Sequence, residues 1–247
     1  MKDLFVVFLY HKTGPGSDTA YNLLHHHLRI FQKLNPSVDY TVLCDEGKFQ
    51  NDDFVYYDEQ YSQREVVRGK AWKSCDTIFF KYIASSQCVP AKNYLYIEYD
   101  CLVNTDILSL LEKYKHHDVC YSFEYKFGNE EDFIWFKEHK DIIERYNIPR
   151  DHLRCLSPFN FTLWKRDFLL RSIDDYIANK SLYQTLVSDV RLGLLCSRLQ
   201  ANSTRYDIHG DRIYNFAMRS QESIARKEFN INKTGVYHPI KDIITEY

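Results

Sequence analysis

Two carboxylates, Glu98 and Asp100, stand one residue apart where the hydrophobic run Leu95-Tyr96-Ile97 ends, and Asn104 and Asp106 follow in the same stretch, YLYIEYDCLVNTD. A buried strand that runs into acid needs a counter-charge, because an ionised carboxylate is costly to take out of water unless it is paired or metal-bound. Carboxylate oxygens are natural donors for hard divalent cations such as Mn2+ and Mg2+. Two further groups lie far away in the sequence: Ser188-Asp189-Val190-Arg191, at the front of a helical apolar pattern, and Val236-Tyr237-His238-Pro239-Ile240-Lys241, which offers an imidazole and an ammonium. Each has a plainer reading beside the chemical one. The strand-end acids can serve a helix starting near Asp106, Asp189 can cap the helix it begins, and a histidine near a C-terminus is most often incidental. His25-His26-His27 fails as a metal site on geometry, since consecutive helical residues point about 100° apart; a solvated helix face is expected there.

The elements that must position these groups follow from the hydrophobic pattern. Residues 4–10, LFVVFLY, are apolar throughout, as in a parallel strand covered on both faces. A helix over about 19–34, capped at Ser17 or Asp18 and stopped at Asn35-Pro36, leads to a second strand at 40–44. This is a βαβ unit with a right-handed crossover. Its strands then end on polar loops at one edge, with His11 and Lys12 after the first and Asp45 and Glu46 after the second. Ligands of open α/β sheets bind beyond the carboxyl ends of strands, so a base and ribose can lie across those loops. The spacing further predicts a strand at 54–58, a helix over 70–87, the acid-tipped strand at 94–98, a helix at 106–115 and a strand at 119–123. A polar stretch with Trp135 and Phe136 fills 128–154. A strand and helix follow within 157–180, then a helix at 186–199 in which Gly193 costs about 1 kcal/mol unless close packing requires it.

Composition excludes several classes. With 32 basic against 34 acidic residues, mixed along the chain, no broad positive field would draw nucleic acid or anionic lipid. Seven cysteines without a C-x-x-C pair argue against a zinc site or a disulfide framework and for reduced thiols. Twenty tyrosines suggest surfaces that stack on hydroxyl-rich ligands as well as core positions. The N-terminal apolar run is too short for a membrane span and has no cleavage site, so the expectation is an anchor-free, cytoplasmic protein with no transmembrane segment.

Taken in order, Trp72, Asp76 and Lys81-Tyr82 before the acid strand, Glu98-Tyr99-Asp100 at its end, then Asp189, then His238 with Lys241, the layout resembles that of GT-A glycosyltransferases. The family motif is D-x-D where this chain has E-x-D. The anchor-free form is similar to small bacterial and large-DNA-virus members. The resemblance implies a single α/β domain with a GT-A-like mixed, mostly parallel sheet flanked by helices. About 1–125 would hold the nucleotide sugar, and about 126–247 the acceptor and a C-terminal metal-ligand segment. It implies Mn2+ or Mg2+ on Glu98, Asp100 and His238. A donor, with a UDP-sugar favoured, would be contacted by His11, Asp45, Glu46, Trp72, Asp76, Lys81, Tyr82 and Lys241. Asp189 becomes the general base for transfer, with inversion, to a glycan or other hydroxyl acceptor. Two other classes stay open: a nucleotidyltransferase, which would want a more glycine-rich and basic loop than HKTGPGSDT, and a non-catalytic carbohydrate or nucleotide-binding module.

Overall fold

The computed structural model describes residues 1–10, 17–44, 54–56, 75–126, 140–149, 152, 154–156, 160–183, 186–215 and 222–241. β1 (Lys2–Tyr10), α1 (Ser17–Leu34) and β2 (Tyr40–Cys44) form the expected βαβ unit, with β1 and β2 parallel and Tyr10 level with Cys44. β3 (Phe54–Tyr56) extends the parallel sheet beyond β2. After α2 (Cys75–Ala84), β4 (Ala91–Glu98) returns parallel to β1 on its other side, so that Glu98 lies opposite Leu9.

Beyond β4 the chain leaves the sheet through β5 (Leu102–Asn104) and α3 (Ile107–Leu111), then enters β6 (Val119–Tyr121). β7 (Glu124–Lys126) pairs antiparallel with β8 (Arg154–Leu156), the two flanking α4 (Lys140–Arg145) in sequence. β9 (Phe161–Lys165) inserts antiparallel between β4 and β6, and α5 (Arg166–Ala178), α6 (Lys180–Tyr183) and α7 (Ser188–Arg198) follow it. β10 (Ser203–Arg205) joins β6, while β11 (Ile213–Asn215), α8 (Glu222–Asn232) and β12 (Gly235–His238) close the described chain. The main sheet has the order β10-β6-β9-β4-β1-β2-β3, and a second sheet has the order β11-β12-β5.

Alternation along the central strands divides the interior in two. Phe5, Val7 and Leu9 of β1 with Tyr94 and Tyr96 of β4 pack toward α2, α5 and α7. Val6, Phe8 and Tyr10 with Leu95 and Ile97 pack toward α1 and α3. Because strand side chains have a period of two, Glu98 carries on the Tyr94-Tyr96 series and lies on the α7 side of the sheet. Tyrosines serve the interior heavily: Tyr10, Tyr82, Tyr94, Tyr96, Tyr183 and Tyr237 are all among the largest fully buried side chains. Cys88, Cys101, Cys120 and Cys196 are free thiols.

Gly193 earns its place in α7 by close packing. A Cβ built there would stand 1.7 Å from the backbone carbonyl oxygen of Arg154 in β8. Since backbone rather than a flexible side chain blocks the space, Gly193→Ala is expected to destabilise by about 1–3 kcal/mol through overpacking. In a chain of this size that reads as a Tm drop of roughly 2–4 °C for each kcal/mol. A variant that melts at or above the wild-type temperature would mean that β8 yields freely and that the glycine carries only its helical cost.

Candidate functional site

The turn at the end of β4 is fixed from both sides. Tyr99 N–H donates to Leu9 O at 2.9 Å, tying the turn to β1, and Cys101 N–H donates to Glu98 O at 3.0 Å. β5 begins immediately afterwards, and β12 pairs with it antiparallel, Tyr237 opposite Leu102. That pairing carries His238, the last residue of β12, back to the acids, and Ile240 N–H donates to Asp100 O at 2.9 Å. Three residues remote in sequence are thereby brought together. His238 Nε2 lies 3.3 Å from Asp100 Oδ1 and 3.7 Å from Glu98 Oε2. One ligand atom from each of the three falls within 4.8 Å of the others.

The donor set fits a divalent cation. Asp100 is 3% exposed, and its Oδ1 is buried without a hydrogen bond, in the ligand cluster. Two carboxylates beside one imidazole form a mixed hard and borderline donor set of the kind divalent cations accept. Lys241 completes the charge pattern by ion-pairing with Asp100 Oδ2. Its ammonium also lies over the Tyr99 ring, 5.2 Å from the centroid. Burial lowers the Lys241 pKa from the ordinary lysine value, with Glu98 opposing.

Asp189 is joined to this cluster through the α7 face of the sheet. It does not cap α7, whose N-cap is Val187 with no side-chain bond. Instead it is buried, and its Oδ1 has no hydrogen-bond partner. Burial, reinforced by repulsion from Glu98 and Asp76 and opposed by Arg191, pushes its carboxyl up to about 8. A carboxyl poised near neutrality can exchange protons at working pH, as general catalysis requires.

Several sequence expectations receive different placements. Asp76, expected at the donor, spends both carboxylate oxygens on Arg191, to Nε and Nη2 at 2.6 Å each, with both side chains buried. The same guanidinium donates from Nη1 to Tyr183 O at 3.0 Å and Leu186 O at 2.7 Å, locking α2 to the segment before α7. Tyr82, also expected at the donor, is a core residue whose hydroxyl accepts from Val89 N–H at 3.2 Å. Val89 precedes the first residue of β4, so this hydroxyl serves the end of the strand remote from Glu98. Lys81 is half-buried on the same turn of α2. His11, Asp45, Glu46 and Trp72 lie outside the described residues, as do Trp135 and Phe136.

The histidine run also needs correction. His27 is 1% exposed, and its Nδ1–H donates to Tyr99 O at 2.9 Å, bracing the acid turn from α1. Burial, with Lys241 and His26 adding to it, lowers its pKa to about 3 against the Tyr99 bond, so the ring is neutral. The available signal was helical spacing, since His27 falls in the stripe Leu24-His27-Leu28-Phe31.

No family model matches the sequence, and no curated protein matches it. Solved structures do match. Mouse xyloside xylosyltransferase 1 aligns over 96% of this chain and 97% of its own, at 11% identity and a TM-score of 0.50. The galactosyltransferase LgtC, solved in complex with donor and acceptor sugar analogs, aligns over 98% of this chain and 84% of its own, at 9% identity and a TM-score of 0.49. The overlap with the xylosyltransferase, which spans both chains nearly end to end at such low identity, speaks to architecture. Together with the mixed, mostly parallel sheet and its flanking helices, it establishes that this chain has the GT-A fold.

Proposed function

We propose that this chain is a metal-dependent glycosyltransferase that moves a sugar from a nucleoside diphosphate donor, a UDP-sugar by preference, to an acceptor hydroxyl. The observation that carries the reading is the convergence of Glu98, Asp100 and His238 at the carboxyl end of β4. In open α/β sheets this edge is where ligands bind. Glu98, Asp100 and His238 would hold a Mn2+ or Mg2+ ion, which supplies Lewis-acid stabilisation of the departing diphosphate.

The chain's own residues do the rest. His27 and the Leu9 carbonyl hold the acid turn rigid. Lys241 pairs with Asp100, and its ammonium would meet a diphosphate oxygen as a point charge. Asp189 takes the proton of the attacking hydroxyl. With base and leaving diphosphate on opposite sides of the anomeric carbon, the product has inverted configuration. Asp76 and Arg191 contribute indirectly, by fixing α2 against the start of α7.

A thermal-shift panel of UDP-, GDP-, CMP- and dTDP-sugars, each with and without Mn2+, tests donor and metal together. At about 100 times Kd, ligand binding stabilises by roughly 2.7 kcal/mol, a Tm rise of roughly 5–11 °C at this chain length. The expected rise occurs with UDP-sugar and Mn2+ together and is small with either alone. A response to GDP-sugar but not UDP-sugar would overturn the nucleotide choice, and a full response in chelator would overturn the metal.

A further inference from the structure

Asn160, directly before β9, is 3% exposed and holds two of the three candidate ligands at once. Its backbone carbonyl accepts from Glu98 N–H at 3.2 Å, and its amide Nδ2–H donates to His238 Nδ1 at 3.0 Å. One residue thus links the tips of β4 and β12, which are 140 positions apart between Glu98 and His238. The second bond determines where the imidazole carries its proton. A neutral ring that accepts at Nδ1 is protonated at Nε2, and Nε2 is the atom facing Asp100 Oδ1 and Glu98 Oε2. That tautomer places an N–H beside the two carboxylates, with Asp100 Oδ1 left without a hydrogen bond. It is the wrong tautomer for ligation, because a metal takes the lone pair of Nε2 and the proton must then sit on Nδ1, donating to an oxygen. Asparagine can serve both states from one position, since its amide carries donor and acceptor about the same torsion.

We propose that Asn160 is a positioning residue that sets the tautomer of His238. With a cation held at Nε2, a half-turn of the amide would let its oxygen accept from Nδ1–H, while its backbone carbonyl keeps Glu98 in place. The ring holds one proton throughout, leaving Nε2 and arriving at Nδ1 through solvent, so His238 releases none on loading. The inference rests on the metal reading above.

Two substitutions separate the amide's chemistry from its volume. Asn160→Leu keeps the size and removes both polar atoms, whereas Asn160→Asp keeps an oxygen that can accept from Nδ1–H. Mn2+ affinity is measured by electron paramagnetic resonance of the free ion, with and without UDP, and the His238 tautomer by 15N NMR with and without diamagnetic Mg2+. The expected results are an Nε2–H ring without ion and an Nδ1–H ring with it. Mn2+ affinity should fall roughly 10- to 100-fold in Asn160→Leu and be retained in Asn160→Asp. Wild-type affinity in Asn160→Leu, an equal loss in both variants, or a wild-type tautomer unchanged by Mg2+ would each overturn the proposal. If Asn160→Leu fails to fold, the wild-type tautomer and the Asn160→Asp affinity decide it. A wild-type protein that binds no Mn2+ in either condition defeats the metal reading itself, an outcome distinct from normal binding by Asn160→Leu.

Discussion

Asp100→Ala is expected to abolish metal-dependent donor binding while leaving the fold intact. Asp100 lies in the turn beyond β4, held by its backbone carbonyl to Ile240 N–H, a bond the substitution keeps. Its side chain contributes ligand and charge rather than packing. Outer-shell partners alone command roughly 10- to 100-fold in metal affinity, and loss of one of three protein ligands should exceed that. Lys241 is 28% exposed at its side chain, so once the Asp100 pair is lost water can solvate its ammonium, and the fold should hold. Calorimetric titration of Mn2+ with UDP, alongside a thermal melt, reads both halves of the expectation. Wild-type affinity in the variant would show that the metal, if bound at all, sits elsewhere.

Asp189→Asn should separate catalysis from stability in opposite directions. Removing the proposed base costs roughly 100- to 10,000-fold in transfer, with donor affinity kept because Asp189 is not among the metal ligands. The stability effect follows from linkage. With its pKa raised from 3.8 to about 8, the folded carboxyl holds a proton that the unfolded chain releases. Wild-type stability therefore declines as pH rises from about 4 to about 8. The neutral amide escapes that decline, so the variant's Tm should pull ahead of wild type across this window in chelator. The ceiling is about 6 kcal/mol. Mn2+ should narrow the gap, because a cation on Glu98 cancels one source of the repulsion. Transfer at near wild-type rate would remove Asp189 from the chemistry, and a retained anomeric configuration in the product, read by NMR, would contradict its role as base in a single displacement. A Tm difference that ignores pH would contradict the buried, proton-holding carboxyl.

The central strands were legible because their signal is local. LFVVFLY is apolar at every position and β1 is buried on both faces, while β2 matches its expected bounds. The acids at the end of β4 were legible for the same reason, a hydrophobic run stopping on charge. What local pattern does not encode is the convergence. His238 reaches Asp100 through β5 and β12, two short strands whose register is set across more than 130 residues. Asp76 looked available because its partner Arg191 lies 115 positions away. Asn160 reads as an ordinary turn residue before a strand, and its importance comes only from what β4 and β12 bring to it. His27 was hidden by its neighbours, since three polar residues in a row suggest a wet face and only the helical spacing points it inward.

The most direct test of the account is release of free sugar from a UDP-sugar in the absence of acceptor, since water can replace the hydroxyl and no acceptor need be known. Wild-type protein with Mn2+ should liberate sugar and UDP slowly, stop on addition of chelator and resume when Mn2+ is restored in excess; Asp100→Ala should do none of these. Release that continues unchanged in chelator, or tight Mn2+-dependent donor binding with no release either in water or with a panel of glycan acceptors, would contradict a metal-dependent glycosyltransferase, the second result pointing to a binding module instead.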